Sequence, residues 1–147
     1  MNTPTAAAVT DVLAPPDPST TAEEIHARAE ALVPILRERA VETDRERAIS
    51  RETYRLLQEA GLFHVLKPKK YGGLGHSRMT YGRAMSMAGT YHGALGALLS
   101  AHQSIGVAEP LVIAGTEEQK QKWLPKVAKD HISAFLLTEP DVGSDPA

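Results

Sequence analysis

Apolar and polar positions along this chain follow a helical rhythm from residue 20 onward. Ile25, Ala29, Leu32, Val33, Leu36, Ala40 and Val41 recur at three- and four-residue intervals, which places them on one stripe of a helix with roughly 3.6 residues per turn. Glu30, Arg37, Glu38, Glu42, Arg45 and Glu46 fall on the opposite, solvated face. Thr20 with Glu23, or Thr21 with Glu24, supplies the hydroxyl and reciprocal carboxylate of a capping box. Pro34 has no N–H to donate to the carbonyl four residues back, which predicts a kink. A second helix fits Ser50 as its N-cap, Tyr54, Leu57 and Ala60 facing inward, and Gly61 as a left-handed stop. A Pro- and Gly-punctuated loop follows over 67–75, and Ser77 then caps a third helix over 78–89. The apolar stretch near 92–105 makes a fourth helix. Gly115 followed by Thr116–Gln119 reads as a stop and a fresh capping box, opening a short helix that breaks near Pro125 and ends about Lys129. Only Ile132–Thr138 leaves the helical period: a short apolar run bounded by turn formers suits a buried strand.

The pattern predicts an all-α bundle of about five or six helices running into a single strand. A lone strand leaves its backbone donors and acceptors unpaired, so a sheet is expected to follow Ala147. Residues 1–20 carry Pro4, Pro15, Pro16 and Pro18 and no apolar period, and read as a disordered leader. The expected organisation is therefore a leader over 1–20, a helical domain over 21–130 and the truncated start of a β-domain over 131–147.

Composition narrows the chemistry. With 16 basic against 18 acidic residues and 5% aromatics, the chain lacks the basic surface and stacking platforms of a nucleic-acid binder. It has no cysteine, which removes disulfides, thiolate nucleophiles and Cys-ligated metals. No Lys or Arg precedes Arg28, and Asp11 and Asp17 are acidic, a pattern unlike secretory or mitochondrial signals, so a cytoplasmic location is expected. Residues 84–108 carry no charge and are long enough to span a bilayer. Ser86, Thr90, His92, His102, Gln103 and four glycines argue instead for a buried helix and no transmembrane segment. The six histidines show no metal-ligand spacing, and Gly72-Gly73-Leu74-Gly75 lacks the Lys-Ser/Thr end of a phosphate loop. No nucleophile, base and orienter can be nominated from spacing.

Leu137-Thr138-Glu139-Pro140-Asp141-Val142-Gly143-Ser144-Asp145 resembles the flavin-site signature L-T-E-P-x-x-G-S-D of the acyl-CoA dehydrogenase family. Glu59–Phe63, Pro68–Gly75, Gly115–Lys120 and Trp123–Pro125 resemble that family's N-terminal blocks in the same order, and Ser100–Gly106 looks most like its long-chain or very-long-chain members. Lys129-Asp130-His131 departs from the family, which generally places a Gly there. The resemblance implies an N-terminal helical domain, a middle β-domain and a C-terminal helical bundle in a homo-oligomer, with FAD held between them; this chain would end in the first strand of the β-domain. It implies oxidation of an acyl-CoA to the trans-2-enoyl-CoA, with an electron-transferring flavoprotein as acceptor. Mapped onto this sequence, Phe135, Leu137 and Thr138 would lie along the flavin edge. Gly143 would allow close approach of the cofactor, and Ser144 would bind near the pyrophosphate or the substrate's pantetheine. Leu95, Leu98, Leu99 and Ile105 would help wall an acyl pocket. The family's catalytic Glu belongs to a later segment, so no catalytic residue is assigned here, Glu139 belongs to the turn, and the isolated chain is expected to be inactive. Two alternatives stand beside this reading. One is a helical interaction module whose strand is completed by a partner chain; the other is a fragment of a related flavin-dependent monooxygenase, suggested by Leu32-Val33-Pro34.

Overall fold

A computed structural model describes residues 17–106, 108–129 and 131–134. Helix α1, Ala22–Glu46, starts at the Thr21 capping box: the Thr21 hydroxyl accepts from the Glu24 N–H, and the Glu24 carboxylate accepts from the Thr21 N–H at 2.6 Å. Ile25, Ala29, Leu32, Ile35 and Leu36 are its buried residues. The stripe therefore centres on Ile35 rather than Val33, and Val41 is 80% exposed where the helix runs past the core. The helix continues through Pro34. It ends at Arg47, the one described non-glycine residue in the left-handed region, with φ 51°.

Helix α2, Arg51–Glu59, begins at Ser50, whose hydroxyl accepts from the Thr53 N–H. Its end is a Schellman motif. The Gly61 N–H reaches the Gln58 carbonyl at 2.9 Å and the Leu62 N–H reaches the Leu57 carbonyl at 3.1 Å, with Gly61 at φ 80°. Leu57 and Leu62, the apolar pair that goes with this motif, are both buried. The following loop folds back on itself through Leu74 N–H to His64 O, His76 N–H to Val65 O and Gly75 N–H to Lys67 O, and includes a 3-10 turn at Lys69–Tyr71. A Cβ on Gly73 would collide with the Lys67 carbonyl, so only glycine allows this fold-back.

Helix α3, Arg78–Tyr91, is capped by Ser77 as expected, and α4, Gly93–Ser100, follows after the single extended residue His92. Gly89 and Gly96 meet at this corner, where a Cβ on Gly96 would stand 3.1 Å from the Gly89 Cα. A π-helical turn, Ala101–Ile105, continues α4. Helix α5, Ala108–Ala114, and helix α6, Glu117–Lys129, complete the described helices. Thr116 and Gln119 form the expected capping box of α6. The break expected near Pro125 does not occur. Pro125 is exposed, and buried Leu124, Val127 and Ala128 anchor the helix on both sides of it.

A principal core joins α1, α2, the 60–76 loop, α3 and α4, and a smaller cluster of Ala108, Leu124 and Val127 joins α5 to α6. Among the described residues there is no strand. Of the strand expected over 132–138, residues 132–134 have no regular structure and 135–138 lie outside the described residues. Gly93–Ala114 is long and apolar enough to cross a membrane by length and composition, yet its Leu95, Leu99, His102, Gln103 and Ala108 are buried against the rest of the chain.

Candidate functional site

Where α1 ends, α2 begins and α4 passes beneath, the helices leave an open groove of about 850 Å³, within the roughly 300–1,000 Å³ typical of small-molecule sites. Ala94, Ala97, Leu98 and Ala101 from α4 and its π turn line one side, and Ile49 and Tyr54 line the other. Asp44, Arg47 and Arg51 supply the polar rim. Small residues on α4 create the space, and the chain after the left-handed end of α1 runs along its edge through Ala48 and Ile49. His92 is buried in the wall, with neither ring nitrogen hydrogen-bonded. Its Nε2 lies 3.5 Å from Asp44 Oδ1, an approach too long to count as a hydrogen bond. Ile132, on the irregular exit segment that follows α6, also lines the groove.

Of the residues expected to wall an acyl pocket, Leu98 lines this groove, Leu95 and Leu99 are buried in the principal core, and the Ile105 side chain lies outside the described ones. The five expected flavin contacts, Phe135, Leu137, Thr138, Gly143 and Ser144, lie outside the described residues. The glycine-rich stretch has a structural role: Gly72 and Gly75 adopt positive φ, and Gly73 packs on the Lys67 carbonyl.

Behind the groove lies a buried polar cluster that periodicity did not reveal. Wider winding in the π turn, closed by Gly106 N–H to Ala101 O at 2.6 Å, turns the consecutive residues His102 and Gln103 inward, at 1% and 0% exposure. Gln103 spans the loop, accepting from the Leu66 N–H at 3.1 Å and donating to the Leu62 carbonyl at 2.6 Å. Lys67 is 1% exposed. Its Nζ contacts the Phe63 carbonyl, the Val127 carbonyl at 2.8 Å and His102 Nε2 at 2.6 Å. The other face of His102 meets the exit segment: the Ser133 N–H lies 3.1 Å from Nδ1. Gly106 makes room for that segment, since a Cβ there would strike the Ser133 hydroxyl. Burial pushes the Lys67 ammonium down to about 7. Burial, with the neighbouring Lys67, takes His64 down to about 4 and His102 down to about 3. The sequence signal was faint: Lys67 stands beside the surface residues Lys69 and Lys70, and His102-Gln103 is a polar pair in an uncharged run.

The described residues form a helical domain with an apolar groove between α1, α2 and α4. Residues 20–131 match the family described as "Acyl-CoA dehydrogenase, N-terminal domain", and the chain belongs to the acyl-CoA dehydrogenase family. It is 53% identical over 137 residues to the probable acyl-CoA dehydrogenase FadE10 of Mycobacterium tuberculosis, covering 90% of this chain and 21% of that protein. It is 39% identical over 100 residues to the mitochondrial very long-chain specific acyl-CoA dehydrogenase of Homo sapiens, covering 67% of this chain and 15% of that one. Among solved structures, it resembles an acyl-CoA dehydrogenase complexed with FAD from Bacillus anthracis, with TM-score 0.60 and 27% identity, over 92% of this chain and 25% of that one. It also resembles the 3-HSA hydroxylase of Rhodococcus sp. RHA1, with TM-score 0.52 and 34% identity, over 54% of this chain and 21% of the other. The chain spans about a fifth of the length of the FadE10 protein and less of the very long-chain enzyme.

Proposed function

We propose that this chain is the N-terminal part of a FAD-dependent acyl-CoA dehydrogenase, and that its groove walls the acyl chain of the substrate during oxidation to the trans-2-enoyl-CoA. The carrying observation is the groove's placement. Its lining is apolar, suited to a hydrocarbon chain, and includes Ile132, from which Phe135 is three residues away, a reach of about 10 Å at most. Leu98 and the small residues of α4 and the π turn would contact the acyl chain. Arg47 and Arg51 at the mouth suit the anionic part of a thioester ligand.

In this reading the backbone amides around Phe135, Leu137 and Thr138, Gly143 and the Ser144 hydroxyl hold FAD, a donor set chemically matched to ring heteroatoms and phosphates. When bound, FAD supplies the hydride acceptor. The base that removes the α-proton comes from outside this chain, as do the remaining flavin contacts. An electron-transferring flavoprotein would reoxidise the cofactor, and the complete enzyme would be a cytoplasmic homo-oligomer.

The isolated chain, incubated with saturated acyl-CoAs and an artificial electron acceptor, is expected to produce no enoyl-CoA. In a protein carrying this chain together with the family's later domains, turnover is expected. Leu98→Trp is expected there to lower kcat/KM for long acyl chains by about tenfold or more, with short chains affected less. A Trp variant that treats all chain lengths as wild type does would overturn the groove assignment. The likeness to the 3-HSA hydroxylase supports a second reading, flavin-dependent hydroxylation. Oxygen-dependent hydroxylation of an aromatic, without enoyl-CoA formation, would put that reading first.

A further inference from the structure

One arrangement of protons satisfies every contact of the cluster around Lys67. Three acceptors or donors face Nζ: the Phe63 and Val127 carbonyls and His102 Nε2. Carbonyls only accept, so two N–H bonds of Lys67 point at them in any protonation state. The Ser133 backbone N–H, 3.1 Å from His102 Nδ1, can only donate, so Nδ1 must be bare. A neutral imidazole with a bare Nδ1 carries its proton on Nε2. That Nε2–H then points at Nζ over 2.6 Å, and Nζ must meet it with a lone pair, which only the neutral amine possesses. The Ser133 hydroxyl, 3.2 Å from the His102 carbonyl, completes the set by donating to it.

The alternative gives up one hydrogen bond, that of the Ser133 amide. If Lys67 were an ammonium, its third N–H would need Nε2 as acceptor, the ring proton would sit on Nδ1 and turn to the Ser133 hydroxyl oxygen at 3.2 Å, and the Ser133 backbone N–H would lose its acceptor. Among the described residues, no carboxylate contacts Nζ. His64 from its own loop and His102 from the π turn stand beside Lys67, and Tyr54, Gln58 and His131 line the small cavity next to those two rings. None of these is a carboxylate.

We propose that Lys67 and His102 form a proton-coupled latch on the segment leaving the helical domain: with Lys67 a neutral amine, His102 Nδ1 holds the Ser133 amide, and protonation of Lys67 releases it. One proton is taken up in total. Nζ gains it from solvent, while the ring loses its Nε2 proton and regains one at Nδ1. The low value to which burial brings Lys67, about 7, places the transition near neutrality. Ser133 lies two residues before Phe135, so the latch would couple proton uptake in the helical domain to the placement of the segment that follows it. This inference stands on the hydrogen-bond geometry and does not depend on the reaction proposed above.

Long-range proton–nitrogen correlation spectra of the full chain with ¹⁵N-labelled histidine read the His102 tautomer directly, and amide exchange at Ser133 reads the latch. Between about pH 9 and about pH 6, the ring proton is expected to move from Nε2 to Nδ1, with the Ser133 protection factor, taken relative to the intrinsic exchange rate at each pH, falling by roughly tenfold or more. A proton on Nδ1 throughout, or a fixed Nε2 tautomer with unchanged Ser133 protection, would overturn the proposal. Lys67→Met is expected to abolish the pH dependence at both sites. Should that variant not fold, the wild-type spectra decide the matter alone.

Discussion

At the scale of single residues, the fold depends on positions where backbone meets backbone. Gly73 is the clearest case. It approaches the Lys67 carbonyl so closely that no Cβ fits, and backbone cannot swing aside as a side-chain tip can. Gly73→Ala is expected to cost about 2–4 kcal/mol in urea unfolding, whereas Gly82→Ala, where a Cβ meets nothing within 4 Å, is expected to be neutral or mildly stabilising. The glycine-rich stretch was legible in the sequence as a turn because glycine's conformational freedom is a local property. The identity of its packing partner was not. Lys67 looks like its surface neighbours Lys69 and Lys70, and only the convergence of the loop, α6 and the π turn buries it.

Helix boundaries were the most legible elements. Thr21, Ser50, Ser77 and Thr116 cap where the sequence places caps, because each bond closes within three residues. Gly61 ends α2 for the same local reason, and its φ of 80° gives a direct test. Gly61→Ala is expected to lower stability by about 1–2 kcal/mol through left-handed strain, with a shifted denaturation midpoint and an unchanged m-value. Pro125 was misread because a rule about hydrogen bonds within a helix does not register the buried residues that hold it from outside. The π turn escaped too. Nothing in Ala101–Ile105 marks an extra residue in the winding, which is visible only in the inward placement of His102 beside Gln103.

For the whole molecule, buried Lys67 and His102 and half-buried His64 set the dependence of stability on pH. Lys67 titrates near 7 when folded against an ordinary 10.5. Between those values the unfolded chain holds a proton that the folded one lacks, so stability rises with pH at about 1.4 kcal/mol per unit and levels off above the upper value. His64 and His102, depressed to about 4 and about 3 from 6.5, add a second rise from those values up to about 6.5. Urea titrations over this range are expected to show both rises, and Lys67→Met should retain only the acidic one. A flat profile between neutral and alkaline pH in the wild type would contradict the burial of Lys67. The family was legible from its motif and from collinear blocks, whereas the groove was not, since it exists only where three helices separated in sequence come together.

The glycine contact at the corner of α3 and α4 reaches further than the corner. Gly89 and Gly96 do not line the groove, yet they fix how closely α4 lies against α3, and α4 forms the groove's apolar wall. A single methyl at Gly96 would force a shift of tenths of an ångström and carry Ala94, Ala97 and Leu98 with it. The cross-section available to a ligand is thus gauged by two residues it never touches, and a change of specificity could arise without any change in the lining.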